Sequence, residues 1–182
     1  KPIFLSGVLD QGYFPESGMT PPSQEAILFD LKLLKQCGFN CVRKHATLAP
    51  MRWYSACDRL GLLVMQDFIN GGSRYSSFLI HTRPLFHFSM SDTSHKRLGR
   101  VLDQSRDQFK LDYLSTIERL YNVPSLFAWT IFNEGWGQFD SAIITDEVRK
   151  ADSSRLLDSA SGWYDKGCGD FLSDHIYFWA FL

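Results

Sequence analysis

The chain is poor in cysteine, with four in 182 residues. Cys37, Cys41, Cys57 and Cys168 form no Cys-x-x-Cys pair and have no histidine at ligand spacing, which argues against a zinc ribbon or a disulfide scaffold. Cys37, Cys41 and Cys57 fall in patterns that read as buried helix or strand faces, so free, packed thiols are expected, and these favour a reducing, cytoplasmic setting. An excess of basic charge is also missing. The net charge is -1, with no Lys/Arg cluster, and nucleic-acid binding needs such groups to neutralise phosphates. No apolar run approaches the ~20 residues of a membrane helix. Nucleic acid and membrane are therefore not expected partners. The first strand-helix turn, Gln11-Gly12-Tyr13-Phe14-Pro15, lacks the glycine fingerprint of a dinucleotide fold. Lys1 stands inside a strand-like run, so the native N-terminus and any signal peptide are expected to lie outside this chain.

What is present is a globular composition, 45% hydrophobic and 15% aromatic. The aromatics serve a packed core or a sugar-binding cleft. Strand-like and helix-like patterns alternate. Pro2–Leu9 reads as a first strand. A helix starts at Pro21-Pro22-Ser23, carries Ile27, Leu28, Leu31 and Leu34 at helical spacing, and stops at Gly38. Phe39–His45 reads as a second strand. Pro50, at a first helical position, and Gly61, past the end, bracket a helix carrying Trp53, Ala56, Cys57 and Leu60. Leu62–Gln66, nearly all apolar, suits a parallel strand buried on both faces. Residues 68–104 break the alternation. Gly71-Gly72, Pro84 and the apolar series Tyr75, Phe78, Leu79, Ile80, Leu85, Phe86 and Phe88 mark an insertion or long loop, of the kind that serves as a lid or binding loop. Phe109, Tyr113, Ile117 and Leu120 then define a helix closed by Asn122 and Pro124. Leu126–Phe132 is a fourth strand. Asp140 is placed to cap a helix with Ile144, Val148 and Ala151 inward. Arg155–Ala160 and Ser173–Tyr177 are the fifth and sixth strand candidates.

Strands alternating with helices imply a parallel sheet, either doubly wound or closed into a barrel. Polar residues gather at the expected C-terminal strand ends: Asp10, Arg43 and His45, Asp67, Asn133 and Glu134, Ser159 and Ser161, His175 and Tyr177. A TIM barrel builds its site there. The expectation is an α/β fold: one domain over residues 1–182, about six of the eight units of a (β/α)8 barrel. Its edge strands, one and six, would favour self-association.

Glu134 ends the apolar strand Phe127-Ala128-Trp129-Thr130-Ile131-Phe132. A carboxyl at a barrel mouth is placed for general acid/base work, since partial burial favours its protonated form. On position alone, it reads equally well as a glutamate favoured by a helix N-terminus. The ordered motifs Asn133-Glu134-Gly135-Trp136-Gly137, Phe39-Asn40-Cys41-Val42-Arg43-Lys44-His45 and Asp174-His175-Ile176-Tyr177 stand at strand ends four, two and six. Together they resemble glycoside hydrolase family 2, that of β-galactosidases, β-glucuronidases and β-mannosidases. Gly61-Leu62-Leu63-Val64-Met65-Gln66-Asp67 and Leu9-Asp10-Gln11-Gly12-Tyr13 are similar to the family's third and first strands.

The resemblance implies a TIM-barrel glycosidase that cleaves β-linked sugars with retention. Glu134 would be the acid/base, and Asn133 would hold the sugar 2-hydroxyl. Arg43 would brace the nucleophile side of the floor, or else form a structural ion pair. His175 and Tyr177 would line the sugar pocket, with Tyr177 on the nucleophile, or else pack in the core. His45 and Asp67 would bind sugar hydroxyls, or serve as a structural histidine and a helix cap. Trp136 and Trp163 would stack on a sugar face or simply pack. The nucleophile is expected on a seventh strand beyond Leu182, and Asp10, Asp67 and Asp174 do not stand in its place. The polypeptide by itself is therefore expected to be inactive. No cofactor is implied. A metal-dependent hydrolase is a weaker reading, because His81 and His87 lie in the insertion, and His45 and His175 have no partners at ligand spacing. A non-catalytic carbohydrate-binding barrel is the other alternative. β-Galactosidase is the preferred specificity, as the commonest activity of the family.

Overall fold

The computed structural model describes residues 2–82 and 90–177. Pro84, Leu85, Phe86, His87 and Phe88 of the long segment lie outside the described residues. The elements run β1 (Gly7–Asp10), α1 (Gln24–Gln36), β2 (Cys41–Lys44), α2 (Met51–Leu60), β3 (Leu63–Asp67), α3 (Asp103–Leu120), β4 (Leu126–Asn133), α4 (Ser141–Ala151) and β5 (Leu156–Ser161), with a π-helical turn at Phe78–Thr82. The sheet is five-stranded, in the order β1-β2-β3-β4-β5, and β2 pairs in parallel with β1 and with β3. Strand order that follows chain order, with helices as connections, is the repeating β/α pattern expected from the sequence.

Two compact units are distinguished, Lys1–Asp67 with Arg119–Ala128, and Phe68–Glu118 with Trp129–Leu182. In the first, α1 begins where Ser23 accepts a hydrogen bond from the Ala26 amide at 3.1 Å. It ends where Gly38 takes a left-handed φ of 88°. Ile27 and Leu31 are its buried side chains. Pro50 is the cap of α2 and not its first helical residue. Its extended ψ suits the position before a helix. Trp53, Tyr54, Ala56 and Cys57 face inward, and Gly61 terminates the helix in the left-handed conformation. The Tyr54 hydroxyl donates to Gln66 at 2.6 Å, and Gln66 in turn donates to the Thr47 and Asp67 carbonyls. This buried polar chain fixes the loop after β2 against β3. Cys41 and Cys57 are buried as expected, but Cys37 is exposed because it caps α1 rather than lying on its inner face.

In the second unit, α3 buries Phe109, Tyr113, Thr116 and Ile117 along one face. Phe109 stacks on Phe132, Phe68 stacks on Trp129, and Tyr113 touches both Phe68 and Phe109, so β4 contributes to one linked aromatic cluster. The long segment forms no strand among its described residues. Its side chains Ile80, Met90 and Leu98 join Tyr164 in a small hydrophobic cluster, against which Tyr75, Leu79 and Trp163 pack.

Three expectations are corrected. Asp140 holds the N-cap position of α4, and its carbonyl accepts from the Ile143 and Ile144 amides, but its side chain makes no cap bond: the carboxylate bonds His95 at 2.8 Å. The first amide of the helix is bound instead by Asp92, from the long segment, at 3.0 Å. Asp140 itself has a left-handed φ of 42°, which turns its side chain away from the helix start. Ala151 is exposed, because the inward stripe of α4 is Ser141, Ile144, Thr145 and Val148. Ser173–Tyr177 is not a strand. It is irregular chain tied by side chains, with Ser173 donating to Asp158 at 2.6 Å and His175 bonded to Ser161 at 3.0 Å.

Candidate active site

In the first unit, Arg43, His45 and Asp67 are gathered at the C-terminal ends of β2 and β3. Arg43 grips Asp67 with both arms of its fork, Nε to Oδ1 at 2.8 Å and Nη2 to Oδ2 at 3.0 Å. His45 Nδ1 lies 2.7 Å from Oδ2, and the Ala46 amide donates to the same oxygen at 3.3 Å. Burial alone would raise the Asp67 carboxyl. His45 and Arg43 outweigh it and hold the group below the ordinary carboxylate range. Asp67 thus acts as an internal anion that fixes the orientation of an arginine and a histidine. This is the ion-pair arrangement that the sequence left open for Arg43. The neighbouring Lys44 is buried, pairs with Asp10 at 3.1 Å, and lies over the Trp53 ring. Gly12 suits the turn beside it. Its φ is 67°, and a Cβ would stand 2.6 Å from Lys44 Nζ.

The second unit holds Glu134. Strand β4 ends at Asn133, which is partly buried, and the next residue turns sharply. Glu134, Gly135 and Gly137 all have positive φ, at 53°, 71° and 77°. A glutamate in the left-handed region costs roughly 1–3 kcal/mol and persists only where its surroundings hold it. The Glu134 amide donates to the Ser161 carbonyl at 2.9 Å, which binds the turn to the end of β5. Its carboxylate Oε1 meets His175 Nδ1 at 2.9 Å and accepts from the Tyr177 hydroxyl. His175 Nε2 lies 3.0 Å from the Ser161 hydroxyl, so both ring nitrogens are engaged. When Glu134 is ionised and the ring neutral, Nδ1–H donates to the carboxylate and Nε2 accepts from Ser161.

Trp163 stands edge-on to both His175 and Tyr177, with ring centroids 5.7 and 6.1 Å away. Its indole N–H is buried without a hydrogen-bond partner among the described residues. Tyr177 is 62% exposed, so its ring is not packed in the core. Trp136 is 41% exposed and lies against Tyr75, centroids 5.7 Å apart. Gly162 makes room for the histidine: with φ at 94°, a Cβ there would stand 2.7 Å from His175 Nδ1. Gly135 does the same for the Tyr164 ring, which a Cβ would meet at 2.6 Å.

The structure therefore brings Glu134, His175, Tyr177 and Trp163 together in one unit, and Arg43, His45 and Asp67 together in the other. Ser161 and Gly162 were missed as members of the site, although Ser161 had been noted at a strand end. A glycine that admits an imidazole has no signature in the sequence, because the histidine lies thirteen residues further along the chain.

The family model described as glycosyl hydrolases family 2, TIM barrel domain, matches residues 1–180. A β-galactosidase of Lactococcus lactis is 29% identical over 164 residues, covering 89% of this chain and 14% of that protein. The chain thus spans about one seventh of the length of that relative. A β-glycosidase from Bacteroides vulgatus superposes with a TM-score of 0.64 at 20% identity, over 86% of this chain and 18% of the other. β-Glucuronidase 3 of Bacteroides uniformis superposes with a TM-score of 0.61 at 18% identity, over 85% of this chain and 18% of the other.

Proposed function

Because the chain belongs to glycosyl hydrolase family 2, as part of its TIM barrel domain, we propose that it carries the acid/base residue of an enzyme that hydrolyses β-linked O-glycosides with retention. One observation carries the reading. The Glu134 carboxyl stands at the end of β4, partly exposed, with Oε1 already bonded to His175 and Tyr177. With Oε1 accepting from those donors, the transferable proton resides on Oε2. Glu134 then protonates the leaving glycosidic oxygen and, as a carboxylate, takes a proton from the incoming water. Asn133 holds the 2-hydroxyl of the sugar, while Trp163, Tyr177 and Trp136 offer it aromatic faces. Arg43, His45 and Asp67 serve as a preset hydrogen-bonding group, with Asp67 orienting the other two.

On this reading, the nucleophile is a carboxylate outside the described residues, about 5–5.5 Å from Glu134 as retention requires. Asp10 and Asp67 are bound to Lys44 and Arg43, and neither takes that role. The domain is a partial barrel over residues 1–182, with residues 68–104 as an insertion. The similarity to the Lactococcus lactis β-galactosidase favours a β-galactoside as substrate, and the β-glucuronidase fold makes β-glucuronides the second class to test. Exposed Ile3, Phe4 and Leu9, on and before the edge strand β1, favour self-association of the isolated chain.

The test is a panel of chromogenic β-galactoside, β-glucuronide and β-mannoside, assayed on the complete gene product that carries these residues. One sugar is expected to be cleaved, and Glu134→Gln should lower kcat/KM for an unactivated glycoside of that sugar by about 10²- to 10⁴-fold. The 182-residue polypeptide alone should show no turnover. An E134Q variant as active as the parent removes the proposal, and sugar affinity without any hydrolysis by the parent makes the domain a carbohydrate-binding barrel.

A further inference from the structure

The turn that follows Glu134 is bound, group by group, to the long segment before α3. The Trp136 carbonyl accepts from Asn70 Nδ2 at 2.8 Å. The Gly137 amide donates to the Leu98 carbonyl at 2.6 Å, and the Gly137 carbonyl accepts from Arg100 Nε at 2.9 Å. Arg100 Nη2 donates to Asn70 Oδ1 at 2.5 Å, so the arginine and the asparagine hold each other as well as the turn. Arg100 Nη1 is anchored on the Ser105 carbonyl and hydroxyl, at 3.1 and 2.8 Å. Its guanidinium lies over the Phe109 and Phe139 rings. The two arms of the segment are zipped together by the Ser73 amide on the Gly99 carbonyl at 2.7 Å. They approach so closely that a Cβ on Gly72 would stand 2.5 Å from that carbonyl, and a Cβ on Gly137 would collide with the Gly71 carbonyl.

This amounts to a clamp on a turn that otherwise sits in an unfavourable conformation. Gly135 and Gly137 take positive φ freely, but Glu134 is a non-glycine residue at φ 53° and does not keep that geometry unaided. A planar fork that bonds a carbonyl, a side-chain amide and a serine at once is a task for arginine, which lysine's single point charge does not reproduce. Arg100 is 5% exposed, and burial pulls it down to about 10, so it remains charged at neutral pH. The charge of the Asp112 carboxylate favours the cation, and the guanidinium's direct bonds go to the turn, to Asn70 and to Ser105.

We infer that Arg100 and Asn70 are positioning residues for general acid catalysis, holding the 134–137 turn so that the Glu134 carboxyl points at the leaving oxygen. The inference rests on the reading of Glu134 as the acid. It extends that reading to the long segment, which thereby becomes a structural support of the catalytic turn as well as a surface loop.

A positioning role predicts a loss that depends on how much the leaving group needs a proton. Departure of a dinitrophenolate needs no acid, whereas departure of an alkoxide does. Two variants are made in the complete gene product. Arg100→Lys keeps the charge and loses the fork. Asn70→Asp keeps an acceptor for Arg100 and loses the donor to Trp136. The substrates are the methyl and 2,4-dinitrophenyl β-glycosides of the sugar selected by the chromogenic panel. For each variant, kcat/KM on the methyl glycoside should fall about 10- to 100-fold, the scale of a catalytic group misplaced by about 1 Å, and kcat/KM on the dinitrophenyl glycoside should stay within about twofold. Parallel losses on both substrates would mean a merely structural role, and no loss on either would mean that the turn holds itself; each result overturns the inference. Glu134→Gln is run alongside. If it shows no such selectivity, the assignment of Glu134 fails, whereas selective loss in E134Q without it in R100K and N70D removes only the clamp.

Discussion

Asp152 closes α4, and its carboxylate is shut off from solvent. Four donors converge on it: Trp129 Nε1 at 2.9 Å, Arg155 Nη1 at 2.6 Å, the Ser154 hydroxyl at 2.6 Å and the Ser154 amide at 3.0 Å. Trp129 belongs to β4, the strand that ends in Asn133 and leads to Glu134, so this carboxylate ties the helix to the strand behind the Glu134 turn. Burial alone would raise the Asp152 group. The Ser154, Trp129 and Arg155 donors outweigh it and hold the carboxyl down to about 2. Holding it there, instead of at its ordinary 3.8, stabilises the folded state by about 2 kcal/mol at neutral pH. Asp152→Asn removes that term and places an amide NH2 among donors, so the loss at pH 7 is at least about 2 kcal/mol and approaches the ~3–5 kcal/mol of a broken buried pair. Because the folded group titrates below the unfolded one, the contribution is complete above the unfolded value and fades as pH falls from about 3.8 to about 2. Urea unfolding of wild type and D152N at a series of pH values reads this directly. The difference should be the same at pH 7 and pH 5 and begin to shrink only below about 4. A difference under about 0.5 kcal/mol at pH 7, or one that closes between pH 7 and 5, would refute the account of Asp152 as a stabilising buried anion.

Two further outcomes follow from the same geometry. Asp67→Asn leaves Arg43 without its counter-charge and should cost about 3 kcal/mol at neutral pH by urea unfolding, with the difference from wild type shrinking as pH falls below the unfolded carboxyl value, near 4. Gly162→Ala forces an L-residue into a positive φ, at about 1–2 kcal/mol, and pushes His175 off Glu134, so kcat/KM of the complete gene product should fall; in a His175→Ala background the same change should have little further effect on activity.

The local signals in the sequence were reliable wherever the partner of a residue lay within a few positions of it. Ser23 caps α1, Gly38 and Gly61 end their helices, and the apolar run into Asn133 is β4, because each of these depends on bonds within one turn or on one strand's own side chains. Glu134 was placed at a strand end for the same reason. What was not legible is long-range. Asp140 has the right spacing for a cap, yet His95 takes its carboxylate. Ser173–Tyr177 stands where a sixth strand is expected, yet it is tethered through Ser173 and His175 and not through a backbone ladder. Arg100 and Asn70 stood within a stretch that reads as loop, and their partners are a carbonyl on Gly137 and another on Trp136, groups that every residue possesses. Tyr177 was assigned to the nucleophile, and its hydroxyl lies on Glu134. Backbone carbonyls and shared acceptors leave no trace in residue identity.

The substitution of Asp92 for a local cap has a kinetic meaning. The first amide of α4 is satisfied by a carboxylate forty-nine positions earlier in the chain, so the helix cannot complete its own start. Closing a loop of that length carries an entropic penalty of about 3 kcal/mol before the bond is made. Helix α4 should therefore be consolidated late, after residues 92–140 have collapsed, and the end of the folding reaction should be set by topology and not by helix propensity.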